Sequence, residues 1–416
     1  MDPGCGKLYW SDFMNNCVGI DVSKGKSMVA IMRPCGEVVA LPFEVHHTSY
    51  ELTKLSKQIR SLEGETRIVM EATGNYHLPI AQWLSDDNFY VSVVNPILIH
   101  NYENNSLRKV KTDKKDAIKI ANYGLDRWDK LRQFIPTDEI RALLKCCCRQ
   151  LQQTSKVQTM LKNNLISLLD NVFPGVNELF CSPVRKDGSE KGVDFVAKFW
   201  HCECVCGLSP KAFSERYRKW CNKCGYHYSE DKAEDIYVSA CGHVCVMPKT
   251  DSTKRIVLGA VSQLQSVTTS VAKLKAEMTF LAEQLPEYGI VMQMFGVGSS
   301  LGPQLMAEIG DVRRFASKKS LVAFAGIDSP PCDSGKIYGN HRSITKRGSA
   351  SLRRTLFILM TVYLQRSPVN EPVYQFMDKK RSEGKPYRVY MMASANKFLR
   401  IYYATVKKYL DSLEES

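Results

Sequence analysis

The sequence predicts an α/β domain at the N-terminus, followed by long helices and a mainly helical C-terminal region. Over residues 17–124, short apolar runs alternate with amphipathic segments in the order of three strands, helix, strand, helix, strand and helix. After residue 140, two stretches of about 30 residues carry apolar side chains at alternating spacings of three and four, which is typical of helices. The chain of 416 residues is long enough for two or three domains with their own cores.

The N-terminal elements follow from local patterns of apolar and turn-forming residues. We predict strands at 17–23, 28–32, 38–41, 68–71 and 89–94, helices at 48–62 and 75–87, and a third helix that starts near Thr112. Thr112 is of the residue type that caps helix N-termini. This order of elements matches the RNase H-like α/β fold.

The central region is predicted to contain two long helices, at residues 140–172 and 257–285. Their spacing indicates coiled-coil helices, and two ordinary amphipathic helices of a bundle fit equally well. They could pair with each other or with a second copy of the chain. We divide the chain into residues 1–137, residues 138–285 with an insertion at about 181–250, and residues 286–416.

Charge and composition favour a nucleic-acid partner. Lys and Arg number 57 against 43 Asp and Glu, a net charge of +14, and residues 313–354 alone hold ten basic residues and two acidic ones. No signal peptide or membrane-spanning apolar run is recognisable, so we expect a cytoplasmic protein. The 15 cysteines are an odd number, which favours free thiols over a disulfide scaffold.

Four carboxylates stand at positions suited to metal binding. Asp21 and Glu71 end two apolar strands, and Asp113 and Asp116 are three residues apart on one helix face. If the two strands are parallel neighbours, their ends meet at one edge of the sheet. Mg²⁺ prefers oxygen ligands, so converging acids fit phosphodiester chemistry with one or two such ions. Any one of them alone is more simply explained as a solvated residue.

The C-terminal region contains a glycine turn and a basic loop. Gly296 and Gly298 form a Gly-x-Gly turn before a helix, which fits a helix-hairpin-helix contact to phosphate and equally a tight turn between helices. Further on, serines lie among Lys and Arg. A serine in such a loop can attack a phosphodiester where cations hold the phosphate charge and a base or metal takes the proton.

The motifs GIDVSK, MEATGNY, VNP and KTDKKDA resemble those of the DEDD transposases of bacterial insertion sequences, and FAGI, DSG and SITKRGSASLRRTL resemble that family's second signature. The resemblance implies a RuvC-like domain of RNase H fold with Asp21, Glu71, Asp113 and Asp116 as its catalytic, Mg²⁺-binding acids. It implies Ser334 as the nucleophile, with Ser343, Ser349 and Ser351 as competitors. The residues expected to contact nucleic acid are Gly296, Gly298, Lys336, Arg342, Lys346, Arg347, Arg353 and Arg354.

The resemblance also implies partners. Members of the family act on donor and target DNA, some guided by a structured non-coding bridge RNA. We expect a homodimer or homotetramer, because two duplexes must be handled at once. A bacterial, nucleoid-associated location follows from such partners. Two departures from the family pattern are the Cys-rich insertion and Asp328-Ser329 after FAGI. A metal-only nuclease of the Holliday-junction type and a non-catalytic nucleic-acid-binding protein are the alternatives.

The insertion raises the question of zinc. Cys221, Cys224 and Cys241 with either His243 or Cys245 form one ligand set of the right chemistry. Zinc ribbons usually have paired C-x-x-C knuckles, and the insertion has one, so a small helical subdomain with free thiols around Trp200 and Trp220 is favoured.

Overall fold

The computed structural model describes residues 15–102, 112–181, 183–185, 187–329 and 343–415, together with the backbone of 333–334 and 337–338. Two compact units are present, residues 1–136 and 137–416. We describe each by itself. Among the described residues, no helix combines the length and the apolarity that crossing a bilayer requires.

The N-terminal unit is built on a mixed five-stranded sheet of order β3-β2-β1-β4-β5. Strand β2 pairs antiparallel with both β1 and β3, while β4 runs parallel to β1 and β5 parallel to β4. The bounds are β1 Asn16–Ser23, β2 Lys26–Arg33, β3 Glu37–His46, β4 Thr66–Glu71 and β5 Tyr90–Val94; the helices are α1 Ser49–Arg60, α2 His77–Asp86, α3 Pro96–Asn101 and α4 Asp113–Asp126.

Helices cover both faces of this sheet, and the alternation of side chains along the strands decides which residues meet them. Val18, Ile20 and Met70 face one core, which they share with α1 and α2. Cys17 and Val69 face the other core, which they share with α4. The predicted order of strands and helices is confirmed, and Thr112 caps α4 by accepting from the amide of Lys115.

In its described residues, the second unit is helical apart from a two-stranded ribbon. Its helices are α5 Glu139–Val172, α6 Lys191–Lys198, α7 Glu203–Cys206, α8 Pro210–Cys224, α9 Glu230–Gly242, α10 Asp251–Glu283, α11 Tyr288–Met292, α12 Leu301–Ile309, α13 Lys318–Ala325, α14 Ala350–Arg366, α15 Pro372–Ser382 and α16 Tyr387–Glu414; the ribbon is β6 Asp333–Ser334 and β7 Ile337–Tyr338.

The long helices α5 and α10 pair with each other and run antiparallel. The Cys147 thiol donates to the Leu274 carbonyl, and further along the Gln158 amide donates to the Thr268 hydroxyl at 2.9 Å. Buried residues of α10 recur at spacings of three and four, as in a coiled-coil seam. At one end, Leu144 and Val271 share a core with α12 to α16.

The insertion forms a small helical core at the other end of the pair. Phe195, Tyr217 and Trp220 stack there in a cluster of aromatic rings, against the last turns of α5 and the start of α10. Trp200 is also buried, as the sequence indicated. The 13 cysteines within the described residues are all free thiols.

Candidate active site

The carboxyl ends of β1 and β4 bring Asp21 and Glu71 to one edge of the sheet. The parallel register pairs Ile20 with Met70, so the next residues along the two strands, Asp21 and Glu71, are neighbours. Adjacent strands lie about 4.8 Å apart. Both acids have the same phase as Cys17 and Val69, and therefore lie on the face that α4 covers. Both are half-buried.

Helix α4 lies directly on β1 because Gly19 has no side chain. A Cβ built at Gly19 would lie 2.3 Å from the Ala117 carbonyl oxygen and 2.4 Å from the Ala121 nitrogen. At the other end of the contact, a Cβ at Gly124 would lie 2.3 Å from the Cys17 sulfur. The helix therefore runs antiparallel to β1.

This contact brings the first turn of α4 alongside Asp21. From Cys17 to Asp21 the strand advances about 13 Å, at about 3.3 Å per residue. The same length of helix takes about nine residues at 1.5 Å each. Counted back from Gly124, that leads to residue 115, between Asp113 and Asp116. Three separate segments of sequence thus carry the four predicted acids to the same end of β1.

The first turn of α4 presents its two acids differently. Asp113 is exposed and Asp116 is half-buried. Both lie at the positive end of the helix dipole, which stabilises carboxylates there. Lys26, beside Ser23 in the β1–β2 hairpin, has a raised pKa. The main cause is its hydrogen bond with Glu44, and Asp113 contributes a smaller electrostatic attraction.

Two residues that the sequence did not single out adjoin the acids. Thr73 donates from its hydroxyl to Glu71 Oε1 at 3.2 Å, which orients that carboxylate. Lys26 places a cation in electrostatic range of Asp113. The sequence carries a signal for the Thr73 contact. In the turn Ala72-Thr73-Gly74, a short polar side chain stands two residues after the strand-end acid and can reach back to it.

The acids share an edge of the sheet without forming a closed metal cage. Among the residues described, no three of these carboxylates have oxygens within 4.8 Å of one another. Their chemistry nevertheless fits a hard divalent cation, because the set offers oxygen ligands alone and Mg²⁺ retains water and phosphate oxygens in its shell. Asp21, Glu71, Asp113 and Asp116 are the residues that would hold it.

The serine-bearing region of the second unit has a well-defined stem. The amide of Thr345 donates to the Asp328 carbonyl at 3.0 Å, that of Lys346 to Gly326 at 3.0 Å, and that of Ser349 to Phe324 at 2.8 Å. Two glycines allow this approach: a Cβ at Gly348 would lie 2.2 Å from the Phe324 carbonyl oxygen. The other, Gly326, has φ +64°, and a Cβ added there would lie 2.7 Å from a terminal nitrogen of the Arg353 guanidinium.

Ser334 ends β6, and its backbone pairs with Ile337 of β7. The stem that joins residues 324–328 to 345–349 brackets this ribbon in the chain. The neighbouring Thr345 hydroxyl donates to the Asp328 carboxylate. Lys336 and Arg342, two predicted phosphate contacts, lie outside the described residues.

A buried acid holds the base of this region. Glu308 is 1% exposed, and the Arg149 guanidinium donates to both of its oxygens at 2.8 and 3.0 Å. The Ser349 hydroxyl donates to the same carboxylate at 2.9 Å while capping α14. Ser351 is buried and accepts from the Gln152 amide at 2.6 Å. Two of the three serines that compete with Ser334 therefore have structural partners.

The predicted phosphate contacts differ in their surroundings. Lys346, Arg347 and Arg354 are exposed, and Lys346 has a left-handed backbone with φ +55°. Arg353 instead donates from one terminal nitrogen to the carbonyls of Ala325 and Gly348, at 3.0 and 3.1 Å, so it stabilises the stem.

The glycines of the Gly-x-Gly turn have separate reasons to be glycine. Gly296 has φ +76° and its missing Cβ would lie 3.0 Å from Leu359. Both the turn and the packing on α14 therefore require it. Gly298 has open space around the position of a Cβ, so its backbone is accessible next to α12.

The set of Cys221, Cys224 and Cys241 with His243 or Cys245, considered from the sequence as a possible zinc site, is not brought together within the described residues. Cys221 is buried in the aromatic core beside Tyr217. His243 is exposed, and its Nδ1 donates a hydrogen bond to the Ser239 carbonyl at 2.8 Å. Among the described residues, the one group of three ligating side chains within 4.8 Å of one another is His201, Cys202 and Cys245. Cys221 and Cys224 end α8, and the fold places Cys245 beside α7 instead.

Two family models match the chain. Residues 18–174 match a model described as transposase, of the DEDD type of IS110 elements. Residues 288–375 match the transposase IS116/IS110/IS902 family. The first match contains all four acids, the second contains Ser334, and residues 175–287 lie outside both.

Full-length relatives are similar over most of the chain. An insertion element IS110 uncharacterized 43.6 kDa protein of Streptomyces coelicolor is 24% identical, over 72% of this chain and 71% of its own. A pilin gene-inverting protein of Moraxella lacunata is 24% identical, over 82% and 80%. An insertion element IS116 uncharacterized 44.8 kDa protein of Streptomyces clavuligerus is 22% identical, over 94% of each.

Proposed function

The chain belongs to the transposase family of IS110-type insertion elements and is a DNA transposase or recombinase, and from that premise we propose that it cuts and rejoins DNA through a serine step assisted by a bound divalent cation. The observation that carries the proposal is the meeting of β1, β4 and α4, which brings Asp21, Glu71 and the Asp113–Asp116 turn to one edge of the sheet. We also infer that the N-terminal unit has the RNase H-like, RuvC-like fold, because strand order 3-2-1-4-5 with three antiparallel strands first supports it.

In this proposal the four acids hold a divalent cation, and Ser334 reacts with the DNA. A divalent cation held by the four acids would polarise a phosphate oxygen and neutralise developing charge. The Ser334 oxygen attacks a DNA phosphorus, a serine–phosphate bond forms, and the bond from phosphorus to the sugar oxygen breaks. The serine proton leaves to solvent, and the released sugar oxygen takes up a proton. Exposed Lys346, Arg347 and Arg354 hold neighbouring phosphates.

Rejoining reverses the first step on a new strand. A sugar hydroxyl attacks the phosphoserine, a phosphodiester forms, and Ser334 regains its hydroxyl. One phosphate ester replaces another at each stage, so no energy-rich cofactor is consumed. Two relatives are named pilin gene-inverting proteins, and inversion of a gene requires strands to be both cut and rejoined. That favours recombination over the alternative of simple hydrolysis by a metal-only nuclease.

The acidic set is tested by isosteric substitution. Asp21→Asn, Glu71→Gln, Asp113→Asn and Asp116→Asn keep the shape of each side chain and remove its charge. We expect each to lower recombination of a plasmid substrate by at least about 100-fold, more than outer-shell changes cost. Asp129→Asn, an exposed acid of the same unit, is the matched control. Wild-type activity in Asp21→Asn and Glu71→Gln would contradict the metal role.

Partners beyond DNA follow from the same proposal. We propose that the protein works as a homodimer or homotetramer, because two duplexes must be held at once, and that a structured bridge RNA selects them. The net charge of +14 supports binding to more than one polyanion. Sequencing of RNA that copurifies with the protein tests this; recovery of random fragments of cellular RNA would contradict a dedicated guide.

A further inference from the structure

We propose that His201, Cys202, Cys206 and Cys245 form a structural zinc site, which joins the segment around α7 to the chain that enters α10. Neither family match reaches these residues, since both leave 175–287 outside. The proposal is independent of the recombination chemistry and could be true of a chain with another activity.

Three of the ligand atoms are spaced as a tetrahedral zinc site requires. One nitrogen of His201 and the sulfurs of Cys202 and Cys245 all lie within 4.8 Å of one another. His201 Nδ1 is 3.6 Å from Cys202 Sγ. A tetrahedral zinc with Zn–S about 2.3 Å and Zn–N about 2.0 Å would hold these two atoms about 3.5 Å apart. The backbone has therefore already brought two of the ligands to the separation that zinc needs.

The imidazole of His201 is oriented by a hydrogen bond from its other nitrogen. His201 is 1% exposed, and its Nε2 donates to the Met247 carbonyl at 3.0 Å. A metal-binding histidine almost always donates its other nitrogen in this way, which fixes the ring and the tautomer. The Nδ1 lone pair is left facing Cys202. The Glu203 amide reaches the same Nδ1 at 3.1 Å, and metal binding exchanges that hydrogen bond for a coordinate bond.

The fourth ligand is Cys206. Cys202 and Cys206 are four residues apart on one short helical segment, so their side chains share a face. The Cys206 sulfur is not among the three ligand atoms that lie within 4.8 Å of one another, so Cys206 would complete the set by turning its side chain toward them. Three thiols and one imidazole form the Cys₃His set of structural zinc sites. On binding, the thiols lose their protons to solvent.

The location explains what the site would do. The Cys202 amide donates to the Val172 carbonyl at 3.0 Å, and the Cys245 thiol donates to the same carbonyl at 3.2 Å. The amides of Val246 and Met247 both donate to the Asn171 carbonyl. The site therefore lies where the last turn of α5, the segment around α7 and the chain entering α10 meet. A metal there would crosslink the segment around α7 to the chain entering α10, beside the end of α5, and the hydrogen bond from the Cys245 thiol to Val172 would be given up when that thiol loses its proton.

The experiment measures metal in the full-length protein, purified without chelator and with reductant present. We expect about one zinc per chain by elemental analysis. Cys202→Ser, Cys206→Ser and Cys245→Ser should each weaken zinc binding by more than the ~10–100-fold that even outer-shell changes cost. Cys224→Ser, a half-buried thiol of the same insertion, is the matched control and should keep full zinc.

Folding failure is separated from ligand loss by a second measurement. The metal is removed from the wild-type chain with a chelator, and Co²⁺ is added back while its thiolate-to-cobalt absorption is recorded. Tetrahedral visible bands that disappear in Cys206→Ser and persist in Cys241→Ser would support the set. Protein that carries no zinc and gives no cobalt bands would overturn the proposal, as would wild-type zinc content in Cys202→Ser.

Discussion

Gly19→Ala tests whether the position of α4 on β1 assembles the acidic site. The new Cβ would lie 2.3 Å from the Ala117 carbonyl oxygen and 2.4 Å from the Ala121 nitrogen. Both are backbone atoms of a helix, so no side chain can turn aside. To reach an ordinary contact near 3.4 Å, α4 must retreat by roughly 1 Å, and such overpacking costs about 1–3 kcal/mol of folding free energy. The first turn, with Asp113 and Asp116, retreats with it.

The expected effect on activity exceeds the effect on stability. A displacement of about 1 Å of a catalytic group can cost about 100-fold in rate. We would measure plasmid recombination at a temperature where denaturant unfolding shows the variant to be fully folded. Gly124→Ala is the matched control: it crowds the same helix against the Cys17 sulfur and Val69, at the end remote from Asp21.

The difference in recombination between the two glycine variants tests whether the first turn of α4 belongs to the reacting site. Gly19→Ala should lose far more recombination than Gly124→Ala at equal stability. If a folded Gly19→Ala variant recombines DNA at the wild-type rate, the first turn of α4 is not part of the reacting site, and the assignment of Asp113 and Asp116 fails.

Three further predictions concern the second unit. Ser334→Ala should abolish a covalent protein–DNA adduct trapped by denaturation, whereas Ser343→Ala should retain it; an undiminished adduct in Ser334→Ala would disprove the nucleophile. Lys346→Ala should lower the salt slope of DNA binding by about one charge, and equal slopes for this variant and wild type would refute the phosphate contact. Arg353→Ala removes hydrogen bonds to two carbonyls and should instead lower the free energy of unfolding. Arg149→Leu leaves Glu308 buried without the Arg149 ion pair and should lower the free energy of unfolding by about 3 kcal/mol. Adding Glu308→Gln should recover much of that loss. Urea unfolding measures both variants, and no recovery in the double variant would count against a buried charge as the cause.

Local patterns were sufficient to predict much of the N-terminal unit. The apolar runs that end at Asp21 and Glu71 are visible in the sequence, and the cap at Thr112 follows from residue type alone. The parallel register that sets the two acids side by side was inferred from strand ends. What local reasoning could not provide is the contact of Gly19 with Ala117, because it joins segments about 100 residues apart.

Tertiary contacts account for what the sequence did not predict. Glu308 is a single acid in an apolar helix, and only the fold shows that Arg149 and Ser349 meet it. The fold does not bring together the cysteine set considered from the sequence, because Cys221 lies in the aromatic core whereas Cys245 lies beside Cys202. The three-part domain division and the individual site roles stay predictions.

The unbroken length of α5 has a mechanical consequence. At 1.5 Å per residue, the 23 residues from Arg149 to Val172 span about 35 Å, close to one turn of B-form DNA. The insertion core therefore lies about this distance along α5 from the base of the serine-bearing region, and α10 packs beside α5 between them. A tilt of a few degrees at Arg149 would move the far end of α5, with the insertion packed on it, by a few ångströms relative to the base of the serine-bearing region.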